Sequence, residues 1–342
     1  MACNGGMNEM LKVRNIVTKF GTASRGVKAV DGASFDVEAG KIVGIVGESG
    51  SGKSTLVRSC LGLISPPGYN AGGECLFEGR DLMRLPHREL RKVRGCQIGF
   101  VAQNPFGSLN PVLPIWRQFA NVLRAHTGRI SNESAKAKAA EQLRMVGIHE
   151  PERVLSGYAR ELSGGMAQRV VIAIATILEP RLLIADEPTT ALDMTVQRQI
   201  LDLLRSLVRS KQRSMLLVTH DLGVVAQYCD EVIVMYAGGI VETGAVGDVL
   251  VNPAHPYTRA LVNSVPRRGQ KFEILHGRVP IFHESPAGCR FVSRCREALD
   301  ICHVQAPPRV EVKTGWYSNC QLTGLGVKDA RLSEEGGRHA CR

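Results

Sequence analysis

Apolar residues are grouped along the chain in three ways, and each grouping predicts a different element. Residues 42–46, 182–185 and 216–219 are short runs, apolar but for Thr219, the pattern of strands buried on both faces. Residues 11–17 and 27–37 alternate loosely, with turn signals at Gly21 and Asp31-Gly32, and read as antiparallel strands. Helical spacing with polar faces marks 115–126 and 134–146, and a long apolar helix pattern spans 166–178. A helix from 53 to 63 should break at Pro66-Pro67-Gly68. Residues 97–102 add a short strand, and 231–236 with 240–242 read as a closing hairpin around Gly238-Gly239. This order predicts an α/β core that opens with antiparallel strands and carries a helical insert.

Composition narrows the class. The 342 residues suggest about two domains. Hydrophobic content of 44% and charged content of 22% suit a folded soluble protein. A net charge of +11 fits a nucleic-acid or anionic-membrane partner, or simply a solvated basic face. No apolar run approaches the roughly 18 residues of a membrane span. The first ten residues are polar and lack the apolar core of a signal peptide. The expectation is therefore a cytosolic chain whose ten cysteines are not a disulfide framework.

Gly47-Glu48-Ser49-Gly50-Ser51-Gly52-Lys53-Ser54 fits G-x-x-x-x-G-K-[ST], between a strand pattern and a helix start. Glycines let backbone N–H groups turn inward on a phosphate at a helix N-terminus. Lys53 adds a mobile positive charge, and the Ser54 hydroxyl is placed for Mg²⁺. Further on, Gln103 ends a strand beside Asn104-Pro105 and can reach a metal or a partner. Ser163-Gly164-Gly165-Met166 opens the long apolar helix, as a second anion site or as a plain glycine-rich helix start. Asp186-Glu187-Pro188 follows four apolar residues, so both acids sit where α/β sheets bind ligands. Asp186 can hold Mg²⁺ and Glu187 can take a proton from water. His220 ends another core strand, and Phe20 either stacks on a nucleobase or packs in the core.

Taken in order, the P-loop at 47–54, Gln103, 162–166, 182–187, Ala191-Leu192-Asp193 and His220 resemble the nucleotide-binding subunit of an ABC transporter. Met166 departs from the Gln found in most of that family. After the ATPase core, Asn252-Pro253, His255-Pro256-Tyr257-Thr258-Arg259-Ala260-Leu261, Val279-Pro280 and Pro286-Ala287-Gly288-Cys289-Arg290-Phe291 resemble the oligopeptide, dipeptide and nickel importers. The resemblance implies a P-loop (RecA-like) α/β ABC domain at 9–245, with an antiparallel β subdomain and a helical insert at about 104–165. It also implies a small cysteine-bearing extension at 246–320, and the polar, Gly-rich end reads as a tail over 321–342.

By the same resemblance, two ATPase subunits would sandwich two ATP molecules. Phe20 would stack on adenine, and Gly47, Glu48, Ser49, Gly50, Ser51, Gly52, Lys53, Ser54 and Thr55 would hold the phosphates and Mg²⁺. Gln103 would reach the Mg²⁺ and water. Ser163 and Gly165 would meet the γ-phosphate held by the opposite subunit, and Asp193 would link the two sites. Glu187 would be the general base and His220 the γ-phosphate sensor. The implied partners are a second ATPase chain, two transmembrane permeases and an extracytoplasmic substrate-binding protein, at the cytoplasmic face of the inner membrane and without nucleic acid. Rival readings change the cargo to nickel or another solute, make the chain a nucleic-acid ATPase, or leave it a binding module without hydrolysis. The 110 residues between Lys53 and Ser163 leave no room for the long insertions of repair-type ABC proteins, and the intact Glu187 and His220 argue against the module.

Cys289, Cys295, Cys302 and Cys320 cluster late, without the close pairs of a zinc knuckle. Four thiolates can hold an iron–sulfur cluster, zinc is the weaker alternative, and free thiols are the third. Arg290, Arg294 and Arg296 should lower the thiol pKa values. Some importers of the resembled subfamily carry a [4Fe–4S] cluster here, which implies the same ligands in this chain. The other six cysteines, Cys3 and Cys341 among them, read as isolated core or tail thiols.

Overall fold

The computed structural model describes residues 9–22, 26–265 and 275–325. Two sheets carry the fold. The first is antiparallel, in the order β2 (Val27–Glu38), β1 (Glu9–Phe20), β4 (Gly68–Phe77), β5 (Arg80–Asp81). The β4 strand has no clear hydrophobic signature, because Gly68, Gly72 and Gly73 dilute its pattern. Asn15 (φ 50) makes a bulge where the β1–β4 register shifts between Arg14 and Val17. Gly73 (φ +98) lies against that bulge, and a Cβ there would come within 2.6 Å of the Asn15 carbonyl oxygen.

The second sheet has eight strands. Five run parallel, in the order β9 (Glu231–Tyr236), β3 (Ile42–Val46), β8 (Ser214–Val218), β7 (Leu182–Asp186), β6 (Ile98–Val101). Every residue of β3, β7 and β8 is buried, as their unbroken apolar runs require. Each large aliphatic side chain so buried contributes about 1.5–3 kcal/mol. The helix Lys53–Cys60 buries Leu56, Val57 and Cys60 against Val13, Ile16 and Val30 of the antiparallel sheet. It stops three residues before the expected 63, because Gly62 (φ +60) takes the left-handed conformation that ends helices. Helices Ile115–Thr127, Asn132–Met145 and Pro151–Ser156 lie between β6 and β7 in sequence, and residues of all three share a core with helix Gly164–Thr176.

The parallel part is closed by β10 (Gly239–Ala245), antiparallel to β9. A hairpin of β11 (Arg309–Lys313) and β12 (Trp316–Asn319) then continues the same sheet, with β12 paired to β10. Tyr257, Phe291 and Trp316 share one buried cluster with Val46, Val234 and Tyr236. The region beyond 245 is thus built onto the core sheet rather than around a core of its own. Gln321–Gly324 form a short helix with Gln321 buried, where the polar composition points to the start of a tail. The rest of that expected tail, with Cys3 and Cys341, falls outside the described residues. Among the described residues, no helix is long and apolar enough to cross a membrane.

Candidate active site

Four parallel strands deliver charged and polar side chains at their carboxyl ends, the usual place for a ligand in an open α/β sheet. The P-loop leaves β3 at Gly47, Gln103 follows β6 by two residues, Asp186 closes β7, and His220 follows β8 by two. Two of the loop's glycines are sterically required. A Cβ at Gly47 would lie 2.2 Å from the Met235 carbonyl oxygen, and one at Gly52 (φ +100) 2.3 Å from that of Ala29. Ser49 and Gly50 form its exposed tip, Ser51 is buried, and Thr55 is partly buried one residue beyond Ser54.

Lys53 is buried and folds back over the loop. Its Nζ donates to the carbonyls of Gly47 (2.8 Å) and Glu48 (3.0 Å). Burial pulls its pKa down, against the opposing charges of Glu187, Asp186 and Glu48. The Ser54 hydroxyl donates to Asp186 Oδ1 at 2.6 Å, and Arg58 Nη2 donates to Oδ2 at 3.3 Å. Asp186 is fully buried, and that desolvation raises its pKa despite both donors. The hard oxygens of Ser54 and Asp186 fit Mg²⁺.

Glu187 stands beside this pair with its backbone in the left-handed region (φ 45), a conformation that costs a non-glycine residue about 1–3 kcal/mol and clusters at functional sites. Its Oε2 accepts from Gln103 Nε2 at 3.0 Å and from the Thr190 hydroxyl at 2.9 Å. His220 Nδ1 lies 3.6 Å from the same oxygen, on an exposed side chain. Phe20, the last residue of β1, is 37% exposed, with one ring edge held against Gly68.

Ser163 and Asp193 cap two helices that touch. Ser163 Oγ accepts from the Met166 N–H (3.3 Å) at the start of Gly164–Thr176, and Asp193 Oδ1 from the Val196 N–H (3.0 Å) at the start of Met194–Arg209. Gly165 is the point of contact, since a Cβ there would sit 2.8 Å from Val196 Cγ1. Among the described residues, no hydrogen bond or ion pair joins Ser163, Gly165 or Asp193 to the P-loop.

Sequence reading missed four contributors. Arg58 lies one helical turn beyond Ser54, so its reach to Asp186 was legible from an i, i+4 spacing. Thr190 is three residues after Glu187 and was hidden by an irregular turn that includes Ala191 (φ 65). Arg294 and Tyr257 both reach Glu48 from far along the chain, and no local pattern announces them.

The late cysteines converge. Cys302 and Cys320 are buried, Cys289 and Cys295 half-buried, and the Cys289 N–H donates to the Cys302 carbonyl at 2.7 Å. Cys289 is close enough to Cys302 and Cys320 for their charges to raise its pKa. Among the described residues, however, no group of three or more His, Cys, Asp or Glu side chains is disposed to hold a metal ion. The expected arginine effect on the thiols is absent. Burial raises the pKa of Cys289 and Cys320 and pushes Cys295 up to about 11. Arg290 is engaged instead with Asp31 and the Ala237 carbonyl, and Arg294 with Glu48.

Comparison with known proteins gives the family. Residues 30–190 match the family model "ABC transporter", and residues 241–302 match "Oligopeptide/dipeptide transporter, C-terminal region". The chain is 45% identical to a probable peptide ABC transporter ATP-binding protein, y4tR, of Sinorhizobium fredii, over 94% of this chain and 97% of that one. It is 44% identical to the oligopeptide transport ATP-binding protein OppD of Bacillus subtilis, over 91% of this chain and 88% of that one. Among solved structures it resembles the dimeric, post-hydrolysis form of the ATP-binding cassette MJ0796 bound to ADP and Pi, with TM-score 0.62 and 29% identity, covering 69% of this chain and 99% of that one. The chain therefore belongs to the ABC transporter ATP-binding proteins of the oligopeptide/dipeptide type.

Proposed function

We propose that this chain hydrolyses ATP as one of two ATPase subunits of a peptide-importing ABC transporter, docked on the cytoplasmic side of two membrane permeases that receive substrate from an extracytoplasmic binding protein. The observation that carries the ATPase part is the convergence on Glu187. Its carboxylate is held by Gln103 and Thr190, beside a buried Lys53 and the Ser54–Asp186 pair. The transport part rests on the relatives, which are named as peptide and oligopeptide transport proteins, and on the match of the C-terminal region.

Each role is read from a position. The N–H groups of the 47–55 loop and the Lys53 ammonium bind the phosphates. Ser54 and Asp186 would hold Mg²⁺, which neutralises charge on the phosphate oxygens when bound. Glu187 takes the proton from the attacking water, with Gln103 and Thr190 aiming its carboxylate. His220, exposed beside Glu187, faces the γ-phosphate. Phe20 offers a ring face to adenine. Ser163, Gly165 and Asp193 serve the nucleotide of the partner ATPase, so neither subunit completes a site alone. Lys53→Ala should abolish binding of Mg²⁺–ATP to the purified chain, and retention of wild-type affinity would remove the P-loop assignment. Co-purification with genomically neighbouring proteins in detergent should bring down two multi-span permeases and a second ATPase. A nucleic-acid complex without membrane protein would overturn the transport reading.

A second observation supports a [4Fe–4S] site at Cys289, Cys295, Cys302 and Cys320. The four thiols are buried or half-buried together, near enough for one another's charge to raise the pKa values of Cys289 and Cys295. Four cysteine thiolates are the usual ligand set of such a cluster, and the chain spacing lacks the close pairs of a zinc knuckle. Iron and sulfide in anaerobically purified protein should be stoichiometric and fall in Cys295→Ser. Zinc in their place would refute the cluster.

A further inference from the structure

Glu48 is the second residue of the P-loop, and two residues from the far end of the chain hold it. Arg294 donates to both carboxylate oxygens, Nη1 to Oε2 at 2.7 Å and Nη2 to Oε1 at 3.0 Å. The Tyr257 hydroxyl accepts the Glu48 backbone N–H at 3.0 Å. The Glu48 carbonyl in turn accepts from Lys53 Nζ. One loop residue thus has its side chain, its N–H and its carbonyl all engaged, two of the three by the C-terminal region.

The clamp is itself rigid. The Arg294 side chain is only 6% exposed, and it also donates to the carbonyls of His276 (2.8 Å) and Leu275 (3.2 Å). Its guanidinium lies 5.7 Å from the centre of the Tyr236 ring and donates to that hydroxyl at 3.3 Å. Tyr257 is fully buried, with its ring centre 4.6 Å from that of Tyr236 and 5.3 Å from that of Phe291. A two-pronged arginine–carboxylate pair fixes direction as well as distance, which a single charge cannot do. The neighbouring Arg290 makes a parallel attachment, donating to Asp31 and to the Ala237 carbonyl. The next residue, Gly238, donates its N–H to the Ser51 carbonyl at 2.9 Å.

We infer that Arg294 and Tyr257 are positioning residues of the ATPase site: acting through Glu48, they hold the P-loop and Lys53 in the geometry that binds nucleotide phosphates. The inference rests on the P-loop being the phosphate site. It gives the C-terminal region a direct part in nucleotide affinity. Glu187 and the Asp186–Ser54 pair are held by other partners, so the chemical step should be affected far less than binding.

The test is a double-mutant cycle, read as KM and kcat for Mg²⁺–ATP in the full chain assembled with its partner ATPase and as Kd for Mg²⁺–ADP in the full chain alone, with Lys53→Ala as the reference. Arg294→Ala and Glu48→Gln should each raise KM and Kd about tenfold, the usual scale for a lost charge-assisted pair, with kcat within about twofold. The double variant should bind no worse than the weaker single, because the two residues act as one unit. Arg294→Lys should recover part of the affinity, and Tyr257→Phe should show a smaller loss of the same kind. If Arg294→Ala folds poorly, Arg294→Lys against Glu48→Gln carries the same comparison. Wild-type KM in the Arg294 variants, or losses that multiply in the double variant, would overturn the inference. If Lys53→Ala also keeps its affinity, the P-loop assignment fails with it; if only Lys53→Ala loses binding, this inference alone is wrong.

Discussion

The Ser54 hydroxyl donates to Asp186 Oδ1 at 2.6 Å, joining the end of the P-loop to the end of β7 across the intervening β8. Asp186 is fully buried, with Arg58 as its other side-chain partner. Removing the hydroxyl leaves one carboxylate oxygen short of a donor, at a cost of about 1–3 kcal/mol, and takes away one oxygen of the proposed Mg²⁺ pair. Ser54→Ala should therefore shift the Mg²⁺ dependence of ATP hydrolysis to higher concentration by roughly tenfold or more. A magnesium titration of the ATPase rate reads this directly. An unchanged half-saturation point would remove Ser54 from the metal site.

Glu187→Gln keeps the shape of the side chain and its contacts with Gln103 and Thr190, but not the ability to take a proton. General-base assistance is worth about 10²–10⁴ in rate, so hydrolysis should fall by that factor while nucleotide affinity holds. Single-turnover ATPase assays beside equilibrium binding separate the two. Hydrolysis at the wild-type rate would show that another group is the base. Thr190→Val should be milder, since Gln103 still orients the carboxylate.

The strands that carry the candidate site were legible because burial on both faces leaves an unbroken apolar run, and an acid or histidine ending such a run stands out. Asp186, Glu187 and His220 were singled out that way, and Lys53 by the glycine-rich motif that follows such a run. Side chains that act from a distance gave no such signal. The charge of Arg294 was assigned to the adjacent Cys295, whereas its guanidinium is directed to Glu48, 246 residues earlier in the chain. Nor could composition show that β12 would pair with β10, because a strand of four residues carries too little pattern to name its neighbour.

His255 gives a pH prediction. It is 1% exposed, its ring accepts the Tyr257 N–H at 3.0 Å, and burial lowers its pKa to about 3. In the unfolded chain it titrates near 6.5. Its contribution to stability is thus complete above pH 6.5 and is lost as pH falls from there towards 3, by up to about 1.4 kcal/mol per pH unit. His255→Asn keeps a helix-capping acceptor without the titration. Thermal melts from pH 7 to pH 4 should show a shallower acid loss in the variant, and parallel curves would mean that His255 is not the group responsible.

Gly165 and Val196 give a packing prediction. The helix Gly164–Thr176 and the helix capped by Asp193 meet where a Cβ on Gly165 would approach Val196 Cγ1 to 2.8 Å, closer than real Cβ atoms come. Gly165→Ala must therefore push the two caps apart, at about 1–3 kcal/mol for an overpacked contact. Val196→Ala removes the colliding methyl, so the double variant should regain most of the stability lost by Gly165→Ala. The decisive measurement is ATPase activity in that double variant. Recovery of stability with activity would mean that Gly165 is needed only to let the helices meet. Recovery of stability without activity would mean that the small residue is needed at the loop itself, where the backbone must come close to a phosphate.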